Sequence, residues 1–348
     1  MKKIVFIVLA LLSLEALAGY QEGNLAYEQN RFADAVKEYQ PLADKGDVNS
    51  QYALGLIYAK GDGKDVPEDL EQAAYWFAKA ANQGDMDAKI KLSLAQLLIG
   101  DAYYSGDGKP KDYAMAAKWL LPSAESGNIE SQFMIGIMFE EGQHFQQDDS
   151  KAVYWYRKAA EQGHENSSVN LGTCYKEGHG VPKDFSQASY WFKKAAAKGY
   201  GDGYLALGNM YYNGEGVNQD YVIAYMFWKL ADSHESESAK NNLEVLDKEL
   251  TDKQIAEAES LASKWQEGKP FPTKSKTWQK PQPVKTSNNA SSKLKVCAPP
   301  KGNNVSYSDD CTNGDCVRTF SNGCQKRFQA PYCYDALQSQ WTWKPNGC

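Results

Sequence analysis

Six cysteines crowd the last 52 residues: Cys297, Cys311, Cys316, Cys324, Cys333 and Cys348. Thiols at this density either hold a soft metal or oxidise in pairs. Zinc sites are built on CxxC pairs or mixed Cys/His sets. Here the gaps inside the cluster are 4, 7 and 8 residues and the segment has no His. Three disulfides are therefore expected, and six cysteines allow fifteen pairings. A module this small needs such staples merely to fold. Its aromatics, Phe320, Phe328, Tyr332, Tyr334, Trp341 and Trp343, serve either as a tiny core or as a face that stacks sugars. Val317–Phe320 and Trp341–Trp343 alternate like short strands.

Elsewhere the residues that do chemistry stand apart. The four histidines are His144, His164, His179 and His234. None has the spacing of a paired metal ligand, so they are read as solvent-exposed. Cys174 occupies a column that holds Ile57, Ala102, Met138 and Met210 elsewhere, which makes it a small buried hydrophobe. No GxSxG elbow is present. The one SxxK, Ser292-Lys293-Leu294-Lys295, lies in a polar stretch without SDN or KTG partners. The expectation is no enzyme, no cofactor and no metal.

What positions these residues is a repeat. Gly55, Gly100, Gly136, Gly172 and Gly208 each follow Leu or Ile, and the last four lie 36 residues apart. An aromatic follows three residues later (Tyr58, Tyr103, Phe139, Tyr175, Tyr211) and a second Gly six residues later (Gly61, Gly106, Gly142, Gly178, Gly214). Then come Ala73, Ala116, Ala152, Ala188 and Ala224, each three residues before Trp76, Trp119, Trp155, Trp191 and Phe227. Each unit reads as two helices broken by a Gly-rich turn, such as 166–176 and 186–198. Facing Gly and Ala allow close approach, and aromatics fill the space between hairpins. One hairpin cannot bury its apolar face alone, so such units stack into a solenoid.

Leu171-Gly172-x-x-Tyr175-x-x-Gly178-x-Gly180-Val181-x-x-Asp184, followed by Ala188-x-Tyr190-Trp191-x-x-Lys194-Ala195-Ala196, resembles the SEL-like repeats, relatives of the tetratricopeptide repeat. The resemblance covers about residues 20–265. It implies an all-α, α/α superhelical solenoid whose first helices line a concave groove. It also implies a protein-binding role: exported members of the family resemble envelope scaffolds and regulators, and periplasmic immunity proteins that neutralise secreted toxic lipases. Cysteine-rich relatives linked to β-lactam binding or hydrolysis supply a further alternative. Those relatives staple each repeat with a disulfide, whereas the repeats here hold Cys174 alone.

The domain reading follows: signal peptide 1–18, degenerate helical hairpin 19–50, five repeats 51–235, capping helices 236–265, basic disordered linker 266–296 and six-cysteine module 297–348. Lys2 and Lys3, an apolar Ile4–Leu12 and the small-x-small Ala16-Leu17-Ala18 form the export signal, cleaved after Ala18. That apolar stretch is too short to span a bilayer. A periplasmic location is expected, with secretion or the cell surface as alternatives. The net charge is −6 overall, +7 over residues 266–348 and +1 over 1–18, which leaves −14 for 19–265. An acidic body thus carries a basic tail, and the composition excludes collagenous, largely disordered and polytopic membrane classes.

The candidate protein-binding groove is the set of positions −2, +1 and +5 from the key Gly: Leu56, Lys60, Asp101, Met134, Ile137, Glu141, Asn170, Thr173, Glu177, Asn209 and Asn213, with Ala53, Leu98, Ser105 and Ala206 in the same columns. These columns vary while the core columns do not. Two irregularities invite contacts. Seven extra residues within Met86–Leu97 lengthen one helix, and His144 stands where a Gly is expected, altering the loop Gln143–Asp149. The expected partner is a protein of unknown identity, with peptidoglycan or another glycan on the cysteine module as the alternative. No nucleic acid and no transmembrane span are expected.

Overall fold

The computed structural model describes residues 18–265 and 269–279 in full. Further on it describes the backbone of 307–312, 315–320, 325–329, 332–335 and 340–343. The chain divides into two compact bodies, Met1–Lys280 and Pro281–Cys348. The expected export signal lies outside the described residues, save Ala18.

The first body is a stack of helical hairpins. Helix α1 (18–28) pairs with α2 (Phe32–Asp44). The five repeats follow as α3 (Val48–Lys60) with α4 (Leu70–Asn82), α5 (Met86–Ser105) with α6 (Tyr113–Glu125), α7 (Ile129–Glu140) with α8 (Asp149–Glu161), α9 (Glu165–Glu177) with α10 (Phe185–Ala196), and α11 (Gly201–Asn213) with α12 (Tyr221–Asp232). Helices α13 (Glu237–Leu246) and α14 (Asp252–Lys264) pack on α12 and close the array. The first repeat thus opens at Val48, three residues before the expected boundary.

The helix ends are set by the sequence. Asp69, Asp112, Asp148, Asp184 and Asp220 are the N-caps of the five second helices; Asp148 accepts from one backbone N–H of the first turn and the other four from two. Such a cap is worth about 1 kcal/mol. The key glycines let the two helices of a hairpin touch. A Cβ on Gly172 would lie 2.5 Å from the Phe192 ring, and one on Gly136 2.6 Å from Tyr156. The residue after the repeat Trp is therefore the one that packs within the hairpin. Trp76, Trp155 and Trp191 are buried among side chains of neighbouring hairpins.

The expectation of a disordered linker from residue 266 is corrected for 269–279. This strap lies against the last repeat. Phe271 stacks on Trp265 at 4.7 Å and meets Phe227, and Trp278 stacks on Tyr221 at 4.4 Å. Ser275 is buried, donating its backbone N–H to Asp220 Oδ2 at 2.8 Å and its hydroxyl to the same carboxylate. Glu257 accepts the N–H groups of Lys276 and Thr277 at 2.7 and 2.9 Å, and the Thr277 hydroxyl. Net composition misled because two aromatics and two body carboxylates suffice to order eleven residues that build no core of their own. The rest of the linker, 266–268 and 280–296, lies outside the described residues.

The second body contains the antiparallel strands β1 (Tyr307–Thr312), β2 (Asp315–Phe320) and β3 (Gln325–Gln329) in one sheet, with Cys311 opposite Cys316 in register. β4 (Tyr332–Asp335) pairs with β5 (Gln340–Trp343). Cys297, Cys324 and Cys348 lie outside the described residues, as do the side chains of all six cysteines, so their pairing stays open.

Candidate interaction surface

The candidate positions form a column along the first helices, and α9 touches α11 directly. Lys60, Asp101, Glu141, Thr173, Glu177 and Asn213 are exposed, and Leu56, Ile137, Asn170 and Asn209 are half-buried. Met134 is a correction. It is only 7% exposed, because it packs in the apolar cluster that also holds Leu120, Trp155 and Leu171. Asn209 is also engaged internally, accepting from the Trp228 indole N–H at 3.1 Å and from the Asn242 amide at 3.3 Å. Lys60 sits 5.1 Å above the Phe32 ring. Lys176, 3.0 Å from Glu177, holds the Glu177 carboxyl below the usual glutamate range.

An exposed apolar stripe extends this column beyond the repeat positions. Helix α5 has 20 residues where the other first helices have 12 or 13. Its extra turns carry Met86, Ile90 and Leu94, which lead at steps of four into Leu98. Their exposures are 66%, 64%, 44% and 44%. Residues four apart lie one above the other on a helix, so these four make one apolar stripe about 18 Å long, at 1.5 Å per residue. Ile129, at the start of α7, is also exposed. The signal that finds the stripe is the gap of 16 residues from Gly84 to Gly100, where the matching gaps Gly127–Gly136, Gly163–Gly172 and Gly199–Gly208 are nine.

The histidines divide. His164 is not solvent-exposed as expected. It is the N-cap of α9, its Nδ1 accepting from the Ser167 N–H, and its Nε2 lies 3.3 Å from Glu130. A loop position just before a helix favours any side chain that can accept there, and its ring nitrogen serves. His144 adopts φ +63°, in the left-handed region, as do Gly108, Gly180 and Gly216 at the same repeat position. His234 is exposed and stacks on Tyr204 at 5.8 Å, and His179 is exposed. Cys174 is buried in the core. Burial, with Glu140 and Asp149 adding to it, pushes its thiol up to about 12, so it is held protonated. Among the described residues no group of three or more His, Cys, Asp or Glu is arranged to hold a metal, and no helix is long and apolar enough to cross a membrane.

Helical hairpins of one pattern, stacked in register and capped at both ends, define an α/α-solenoid repeat protein. Its repeats at 48–85, 93–128, 129–164, 167–200 and 201–231 match the Sel1 repeat model, and the chain belongs to that family. A Sel1 repeat protein from Oxalobacter formigenes, known from its crystal structure, is 28% identical and superimposes with a TM-score of 0.52 over 74% of this chain and 68% of that one. The exopolysaccharide production negative regulator of Rhizobium meliloti (strain 1021) is 28% identical over 172 residues, 36% of this chain and 62% of the regulator. The ERAD-associated E3 ubiquitin-protein ligase component HRD3A of Arabidopsis thaliana is 36% identical over 76 residues, 22% of this chain and 10% of that one.

Proposed function

We propose that this protein is a non-catalytic, exported scaffold or regulator that binds a protein partner through its first-helix face, with the α5 stripe as the anchor. The stripe carries the reading. Burying one large aliphatic side chain completely is worth roughly 1.5–3 kcal/mol, so four chains exposed to these extents hold roughly 3–6 kcal/mol that docking releases. Stripes of this kind, rimmed by polar residues such as Lys89, Lys91 and Asp101, mark interaction sites. The complementary partner element is apolar, such as one face of an amphipathic helix. A regulatory role agrees with the name of the Rhizobium relative, and periplasmic export with the N-terminal signal. Binding rather than catalysis agrees with a Cys174 thiol held protonated in the core and a His164 used as a helix cap.

The test is capture from an envelope extract with the oxidised mature chain from Gly19, against the double variant Ile90→Glu/Leu94→Glu. Both sites are exposed, so stability should change by no more than about 0.5 kcal/mol. The stoichiometric partner of the wild-type chain should be lost. Retention of the same partner refutes the stripe as anchor. Retention on peptidoglycan that vanishes when the chain is cut after Gln279 moves the function to the cysteine module. The cut belongs there and not at 265, because removing the strap uncovers Tyr221 and Trp265.

A further inference from the structure

At successive junctions one loop position rests on the first turn of the preceding second helix. Gly180 lies against Asp149, and its carbonyl accepts from the Ser150 hydroxyl at 3.2 Å; Gly216 lies against Phe185. After the fifth repeat no such loop follows, and the strap takes its place. Ser275 sits on Asp220, Trp278 stacks on Tyr221, and the Trp278 indole N–H donates to the Gln219 carbonyl at 2.9 Å. The chain therefore shows what this position accepts when no repeat covers it: an extended segment giving a backbone N–H and a hydroxyl to the cap aspartate.

Between the first and second repeats the same position is open. A Cβ on Gly108, the counterpart of Gly180, would meet nothing within 4 Å. A cavity of about 650 Å³ lies there, lined by Glu68, Asp69 and Glu71 on one side and Asp107 and Lys109 on the other, with Ile99 in its floor. Asp69 is the counterpart of Asp220. Its Oδ1 accepts from the Glu71 and Gln72 N–H groups at 3.0 and 2.9 Å, as Asp220 Oδ1 does from Val222 and Ile223. Asp220 Oδ2 receives Ser275, whereas Asp69 Oδ2 is unengaged among the described residues. Lys109, paired with Glu71 at 2.9 Å, offsets one of the four carboxylates. The strap residues 269–279 bring Lys269, Lys274 and Lys276 and no acid.

We propose that this cleft binds an extended segment of a partner protein in which lysines flank a serine or threonine, with the hydroxyl and its backbone N–H on Asp69 and the lysines toward Glu68 and Asp107. The site is separate from the α5 stripe and does not rest on it.

The probe is a labelled synthetic peptide with the sequence of residues 269–279, titrated into the full mature chain by fluorescence anisotropy. The chain's own strap already covers Asp220. Saturable binding that weakens with salt is expected at low salt. Asp69→Asn keeps a competent N-cap, so the fold is retained and circular dichroism checks it. A hydrogen bond to a charged group is lost in that variant, which should weaken binding about tenfold or more. The peptide with alanine at its Ser275 position should lose affinity similarly, and Ile90→Glu should bind as wild type. No saturable binding up to about 1 mM, where association is too weak to be specific, overturns the proposal. So does binding that Asp69→Asn leaves unchanged, including the case in which Asp220→Asn alone abolishes it, which puts the peptide in the strap's own place.

Discussion

The strap can be weighed by comparing one residue type at two repeat-equivalent places. Asp184 and Asp220 both cap a second helix through Oδ1, with N···O distances of 2.8 and 3.0 Å at Asp184 and 3.1 and 3.1 Å at Asp220. Asp184 is exposed and does nothing else, so Asp184→Ala should cost about 1 kcal/mol, the usual worth of a cap. Asp220 is 5% exposed and also accepts both donors of Ser275, itself 4% exposed. Two buried donors robbed of a charged acceptor cost about 1–3 kcal/mol each in the limit that water does not replace it. Allowing for partial replacement, Asp220→Ala should cost about 3 kcal/mol beyond the cap. At 1.4 kcal/mol per tenfold, strap opening should then be about a hundredfold more frequent. Hydrogen exchange read by mass spectrometry on the full chain measures this locally, which suits a repeat array whose unfolding is not all-or-none. Strap peptides around Ser275 should lose protection in Asp220→Ala and keep it in Asp184→Ala. Equal effects of the two variants, or strap amides already unprotected in the wild type, would refute the reasoning.

Three further outcomes are expected. Gly108→Ala and Gly180→Ala place a Cβ at nearly the same φ, +70° and +67°, but only the second meets a backbone oxygen at 2.3 Å; it should cost about 2 kcal/mol more in thermal or urea unfolding. Cys174, buried with its thiol raised to about 12, should stay unlabelled by iodoacetamide at pH 8 in the native chain and react fully once denatured, as read on its own tryptic peptide. Burial opposes ionisation of Glu257, but the Thr277 hydroxyl and the N–H groups of Lys276 and Thr277 outweigh it and hold the carboxyl below its ordinary range. The folded value lies below the unfolded one, so the contribution to strap docking is complete above about pH 5 and fades as pH falls below it. Strap protection should follow that course, and Glu257→Gln should flatten it.

Much of the solenoid was legible because its signals are local and repeated. A Gly at the close approach and an aromatic three residues later recur in every repeat whether or not the neighbouring hairpin is known. The excess spacing between Gly84 and Gly100 announced the longer α5, whereas His144, expected to alter its loop, keeps the positive φ of the glycines in its column. The candidate surface was less legible. Helical spacing put Met134 in the groove column, yet exposure at −2 depends on what packs over it: Met134 is 7% exposed and Leu98 44%. His164 looked solitary although its cap partner Ser167 is only three residues on; Glu130 reaches it only when two hairpins meet.

The sequence by itself therefore determined the hairpins, their caps, their order and the apolar columns, since each depends on residues within about one repeat. Tertiary structure decided the burial of Met134, the docking of 269–279 and the cleft at Asp69. The strap joins residues 55 apart through Asp220 and Ser275, and 59 apart through Gln219 and Trp278. The cleft exists because one loop, centred on Gly108, stands off from a helix end that Gly180 and Gly216 cover elsewhere. Contacts of that range turn on the rise and rotation from one hairpin to the next, and small differences in packing accumulate there without leaving a mark in any single segment of the chain.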